Sequence, residues 1–235
     1  MRRPRQHTIL TEEKMDFSFL NDIEIKDDAE VEELERKQLA EQEEKRKAKL
    51  REHYLTESGV PLRYLNESLN TYIPLEENRK KFEWLCGFVE SVKKGENKKN
   101  ILYISGKFGT GKTHIGCGMI RELGGLIVTS LGFCISYDSC RDFKATETRM
   151  EFLKRHCSQR LLVIDEVGKG IERIEKEVYP YIVNEFYGNR NTLVFLGNAD
   201  KAEFDSLIGE AGADRMREVG VYMALTGESR RGQKK

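Results

Sequence analysis

Eight residues, Gly106-Lys107-Phe108-Gly109-Thr110-Gly111-Lys112-Thr113, constrain this chain more than any other stretch, because they satisfy G-x-x-x-x-G-K-[ST] at every specified position. Such a loop binds phosphate oxygens through main-chain N–H groups, so the backbone must turn tightly and approach closely. Gly106, Gly109 and Gly111 omit the Cβ that would prevent it. The N-terminus of a following helix adds further N–H donors and a partial positive charge. Lys112 is spaced to reach the β- and γ-phosphates of a nucleotide, and the Thr113 hydroxyl to hold Mg²⁺. Lys107, Phe108 and Thr110 fill the loop's remaining positions and are counted with the binding residues. The flanks agree: residues 100–105 form a short apolar, β-branched run that reads as a buried strand. Residues 112–123 read as a helix closed by Gly124-Gly125.

With 235 residues, 38% of them hydrophobic, the chain can hold one full α/β domain and a smaller appendage. Forty basic residues balance forty acidic ones, so any contact with DNA must come from a local patch. No apolar run approaches the ~18 residues of a membrane span, and no apolar segment follows the basic start Met1-Arg-Arg-Pro-Arg5. The expected setting is the cytoplasm, away from membranes. The five cysteines are scattered without a C-x-x-C pair and read as reduced thiols.

Residues 1–28 show no periodicity and predict a flexible arm. From Ala29 to about Tyr54 the chain is rich in Glu, Lys, Arg, Gln and Ala. The spacings Glu32/Arg36, Glu33/Lys37, Glu41/Lys45 and Glu43/Lys47 predict a long exposed helix. Its apolar positions are too sparse for a heptad seam, which leaves two readings, a solvated spacer and a partner-binding helix. Gly59-Val60-Pro61 ends it and sets the boundary between an extension, 1–58, and a domain, 59–235. Pro74 suits the first turn of a new helix, whose buried face is Phe82, Leu85, Val89 and Val92. Lys93-Lys94 and Lys98-Lys99 read as a solvated turn rather than a DNA patch. Residues 125–129 predict a second strand and 130–143 a helix then a loop. Residues 146–157 predict a helix with Met150, Leu153 and Cys157 on one face. Basic residues Arg141, Lys144, Arg149, Lys154 and Arg155, interleaved with Tyr137, Phe143 and Phe152, fit either an amphipathic surface helix or a single-strand track built on phosphate contacts and stacking.

The second strong signal is Arg160-Leu-Leu-Val-Ile-Asp165-Glu166, an apolar run with no polar face that ends in two carboxylates, and so a central strand. Asp165 is placed to hold Mg²⁺ and Glu166 to orient and deprotonate an attacking water. Ile171, Ile174, Val178, Tyr181 and Ile182 mark another helix, which Pro180 must either open or kink. Residues 192–198 form a fourth strand whose terminal Asn198 faces the phosphates of a parallel sheet, as a sensor of the γ-phosphate or of water. Residues 220–225 form a fifth.

Strands alternating with helices imply an α/β fold with a doubly wound, parallel, five-stranded sheet. Over residues 55 to 232 the chain resembles AAA+ P-loop NTPases of the DnaC/IstB type, the replicative helicase loaders and transposition helper ATPases. The resemblance rests on residues 106–113 with His114, on Leu161 to Gly168, on Gly197-Asn198, on Asp214-Arg215-Met216-Arg217 and on Glu228-Ser229-Arg230-Arg231. The short tail leaves no room for a C-terminal helical lid, as in that branch. The resemblance implies ATP and Mg²⁺ as ligands, His114 beside the nucleotide loop, Asp165 and Glu166 as the Walker B pair and Asn198 as sensor 1. It also implies that Arg215 is an arginine finger offered to ATP in a neighbouring subunit, and Arg231 a sensor-2-type arginine. A guanidinium neutralises charge developing on phosphoryl oxygens, so hydrolysis would depend on self-association through the ATP site. The chain departs from the family at Asn184-Glu185-Phe186-Tyr187, where a basic residue is usual, and at Gly227, where an aromatic is usual.

The resemblance implies a loader that assembles on single-stranded DNA and reaches a hexameric replicative helicase through residues 1–58. The alternative is a transposition helper ATPase acting with a transposase. A third reading, a kinase or solitary NTPase without a DNA role, is opposed by Glu166 and Asn198 and by the lack of an acceptor site. The long charged extension favours the loader.

Overall fold

The computed structural model describes residues 28–142 and 145–229. The chain divides into two units, Met1–Lys49 and Leu50–Lys235. The arm read over residues 1–28 lies outside the described residues except for Asp28.

In the first unit, helix α1 (Asp28–Glu57) carries the pairs Glu33/Lys37 and Glu41/Lys45 at 2.6 Å, as their spacing predicts. Lys47 pairs with Glu44 at 3.3 Å rather than with Glu43. Such exposed pairs are worth a few tenths of a kcal/mol each. Leu34 and Leu39 are exposed, so this part of the helix buries no apolar face of its own.

The second unit starts at Leu50, earlier than the domain start read at residue 59. The last turns of α1 belong to it because Leu55 is 2% exposed within the core and the Ser58 carbonyl accepts from Ile127 N–H at 2.9 Å. Short 3₁₀ turns at Leu62–Tyr64, Leu69–Thr71 and Glu76–Asn78 lead to α2 (Arg79–Lys94). Pro74 therefore precedes α2 instead of opening it, and the helix buries Leu85, Phe88, Val89 and Val92.

The rest alternates: β1 (Ile101–Gly106), α3 (Lys112–Leu123), β2 (Leu126–Thr129), α4 (Ser130–Ser139), α5 (Arg149–Cys157), β3 (Leu161–Val167), α6 (Glu172–Gly188), β4 (Thr192–Gly197), α7 (Lys201–Val219) and β5 (Gly220–Leu225). All pairings are parallel, in the order β2-β3-β4-β1-β5. This is the doubly wound, parallel, five-stranded sheet that the alternation of strands and helices implies. Both faces are covered, which is why the strands read as continuous apolar runs. Leu102, Ile104, Val163 and Leu196 pack in the core on the α2–α3 face, and Ile101, Tyr103, Leu162, Ile164 and Phe195 in the core on the other.

Helices α5 and α7 differ from their sequence reading. On α5, Met150 is exposed, and the buried face is Phe152, Leu153, His156 and Cys157. The single-strand track is not built there: Tyr137 and Phe152 are buried, Arg149 meets Asp138 at 2.6 Å, and Arg155 meets Glu147 at 2.7 Å. Phe143 and Lys144 lie outside the described residues. Pro180 sits in the middle of α6, which runs through it while the Lys176 carbonyl loses its helical donor. Helix α7 is absent from the reading altogether. It opens with a reciprocal Asp200/Glu203 capping box and seats Phe204 against the Tyr103 ring at 3.9 Å. Among the described residues, no helix is long and apolar enough to cross a membrane.

Candidate nucleotide site

The loop leaves the carboxyl end of β1 and enters α3, whose N-cap is Gly111 at φ 94°. A Cβ at that position would stand 2.4 Å from Cε2 of Tyr72, so the loop and the 72–75 segment touch where only glycine fits. The Lys112 ammonium folds back over the loop, donating to the Gly106 carbonyl at 2.7 Å and the Lys107 carbonyl at 2.9 Å. Thr110 is buried, its hydroxyl donating to the Lys107 carbonyl at 2.9 Å. Phe108 is exposed beside the cleft, with the Lys169 ammonium 4.3 Å from its ring centre.

Strand β3 brings its two carboxylates to the same edge and separates their roles. Asp165 is 6% exposed; its Oδ2 accepts from the Thr113 hydroxyl at 2.7 Å and its Oδ1 from the Glu166 N–H at 2.7 Å. Burial holds its carboxyl above the usual carboxylate range, against the pull of those two bonds. Glu166 has φ 60° and is the only non-glycine at positive φ among the described residues. It lies where the β3–β4 register shifts between Ile164 and Val167. That irregularity turns the second carboxylate out, half-exposed, while the first stays in.

Asn198 follows β4 directly, exposed at the same edge. Lys112, Thr113, Asp165, Glu166 and Asn198 line one cleft of about 480 Å³, within the range of small-molecule sites. Lys107 lines an adjoining hollow with Phe108 and Asn198. His114 borders the cleft, but its Nε2 is committed to the wall, 2.8 Å from the Ser68 carbonyl and 3.0 Å from the Thr71 hydroxyl. Arg215 on α7 is not among the cleft-lining residues; its guanidinium lies 5.5 Å from the Tyr187 ring centre. Arg231 lies outside the described residues.

The opposite wall, Tyr64, Ile73, Pro74 and Leu75, is missing from the sequence reading. It is anchored by Tyr72, whose buried hydroxyl donates to the Thr110 carbonyl at 3.0 Å. No local periodicity marks residues that act through a contact thirty-eight positions away.

No protein-family model matches the chain. Its sequence is 32% identical over 191 residues to the replicative helicase loader DnaC of Buchnera aphidicola subsp. Baizongia pistaciae, covering 77% of this chain and 75% of that protein. The chain belongs to the DnaC family. Another DnaC, from Escherichia coli strain K12, is 34% identical over 118 residues, 48% of each chain. Among solved structures, the DnaC helicase loader superposes with a TM-score of 0.60 at 20% identity, over 71% of this chain and all of that one. DnaI superposes at 0.55 and 21% identity, covering 73% and 94%. AMPPCP-bound DnaA from Aquifex aeolicus does so at 0.55 and 23%, covering 68% and 50%. These superpositions place this DnaC-family chain in the P-loop AAA+ fold.

Proposed function

We propose that this DnaC-family protein binds and hydrolyses Mg·ATP in the cleft, and couples that cycle to loading a hexameric replicative helicase onto single-stranded DNA in the cytoplasm. The observation that supports it best is the convergence of Lys112, Thr113, Asp165, Glu166 and Asn198, from three different strand ends, on one cavity. The Thr113 and Asp165 oxygens are hard donors that fit Mg²⁺. Held by these two side chains, the ion would supply neutralisation of phosphate charge.

This chain's own groups do the rest. The loop amides and Lys112 bind the phosphates, and the apolar wall of Tyr64, Ile73, Pro74 and Leu75 takes the base. Glu166 accepts the proton of the attacking water, and Asn198 orients that water against the outermost phosphate. Arg215, lying apart from its own cleft, serves the ATP of a neighbouring copy. Arg231, outside the described residues, takes the sensor-2-type role that the family resemblance implies. Within the extension read over residues 1–58, residues 1–49 bind the helicase, with the exposed Leu34 and Leu39 of α1 as apolar contacts.

Lys112→Ala should abolish tight Mg·ATP binding in a calorimetric titration, and unchanged affinity would refute the site. A chain lacking residues 1–49 should keep nucleotide binding and lose capture of the helicase. Equal capture by the shortened chain would remove the role given to the extension.

A further inference from the structure

Behind the β3 carboxylates lies a third acid that the chemistry above leaves unused. Glu175, in the first turn of α6, is 1% exposed. A buried carboxylate is costly unless donors surround it, and here one oxygen, Oε1, is met from three elements. It accepts from the Ser130 hydroxyl, from Gly168 N–H at 3.0 Å and from Gly170 N–H at 3.2 Å. The Tyr179 hydroxyl stands 3.1 Å away and donates to Ser130 Oγ at 2.7 Å.

Those two amides flank Lys169 in the turn that closes on Glu166, where Lys169 N–H donates to the Glu166 carbonyl at 3.0 Å. The turn contains two residues at positive φ, Glu166 at 60° and Gly168 at 82°. For glutamate that conformation is strained, so the surroundings must hold it. Ser130 adds a second anchor: it follows Thr129, which pairs in register with Asp165. The network also has no slack. A Cβ on Gly170 would stand 2.3 Å from Ser130 Oγ and 2.9 Å from Glu175 Oε1.

We propose that Glu175 is a positioning residue for hydrolysis: by binding both amides of the 168–170 turn, it fixes the backbone of Glu166 and hence where the base's carboxylate stands. This rests on Glu166 being the general base.

The test is a double-mutant cycle on the full chain, read by single-turnover hydrolysis at saturating Mg·ATP and by ATP titration. Glu175→Gln keeps the volume and weakens the charge-assisted bonds. It should slow hydrolysis by about tenfold or more, as expected for a misplaced base, while ATP affinity stays within about twofold. In a Glu166→Gln background the same change should cost nothing further. In the nucleotide-free protein, it should speed amide exchange over residues 166–171. Ser130→Ala, which removes one donor, and Gly170→Ala, which crowds the network, should reproduce the pattern with Glu175 intact.

An equal loss in both Glu166 backgrounds, or a parallel loss of ATP affinity, would reduce Glu175 to a structural residue. So would unchanged hydrolysis in Glu175→Gln where Glu166→Gln is impaired. Full activity of Glu166→Gln would instead overturn the base assignment and this inference with it.

Discussion

Replacing Gly111 by alanine probes the cleft where its two walls meet, and the structure separates the cost into two parts. The first is conformational: at φ 94° and ψ 15° an L-residue other than glycine loses about 1–2 kcal/mol. The second is steric, because the new methyl would sit 2.4 Å from Tyr72 Cε2, 3.3 Å from Cδ2 and 3.4 Å from Cζ. That ring is 5% exposed, packed 4.9 Å from Phe82 and 5.4 Å from His114, and held by its bond to Thr110. Moving it is overpacking, worth about 1–3 kcal/mol. Gly95 supplies the control: φ is 72°, and a Cβ there meets nothing within 4 Å. Gly95→Ala should show the first cost alone, and the gain from a stiffer unfolded chain cancels between the two. The difference, about 2 kcal/mol, corresponds to about 4–8 °C in Tm for a domain of this size. Thermal unfolding of both variants measures it. Adding Tyr72→Ala should recover that difference in the Gly111→Ala chain and nothing in the Gly95→Ala chain. Equal losses at the two glycines would mean that the 72–75 wall does not stand against the phosphate loop.

Asp165, held above the usual carboxylate range, lends the nucleotide-free chain stability that is complete below its unfolded pKa of about 3.9 and lost as pH rises through the raised folded value. Asp165→Asn should therefore gain on the wild type in urea unfolding as pH rises from about 4, and a constant gap would contradict it. Arg215→Ala should keep ATP affinity but lose hydrolysis stimulated by single-stranded DNA. Mixing it with Lys112→Ala, whose Arg215 is intact, should restore turnover, and failure of the mixture would deny a finger acting between copies. Leu55→Ala should cost about 2–5 kcal/mol and Leu39→Ala less than about 0.5 kcal/mol by chemical unfolding. Equal effects would mean that Leu55 is not part of the packed core.

What could be read from the residues is what local chemistry encodes. The loop at 106–113 sits between β1 and α3 as its glycines demand, and the run ending at Asp165-Glu166 is a central strand because both of its faces are buried. The helices were harder where tertiary contacts overrule local signals. Pro180 lies in the middle of α6 rather than in its first turn, where the helix is held by Ile174, Val178, Ile182 and Phe186 in the core around it. Met150 shares the helical face of the buried Leu153 and Cys157 but stands exposed in the first turn of α5, while Phe152 is buried. Helix α7 was legible after all, in Asp200 and Glu203 at capping-box spacing followed by Phe204, Leu207 and Ile208. The Tyr64–Leu75 wall was not: its residues act only through contacts with a loop far along the chain, and nothing nearby marks them.

Sheet order does the rest, and no run of residues announces it. Strand β4 lies between β1 and β3, so the phosphate loop and the acidic pair leave the sheet two strand spacings apart, roughly 10 Å. Helix α3 bridges that gap from above, bringing the Thr113 hydroxyl to 2.7 Å from Asp165. The intervening strand is followed directly by Asn198, which lines the same cleft. A terminal phosphate seated by Lys112 would then share that cleft with a hydroxyl, two acids and an amide. The crossover that interposes β4 thus brings a third strand end, and with it Asn198, to the cleft that Lys112 and Asp165 share.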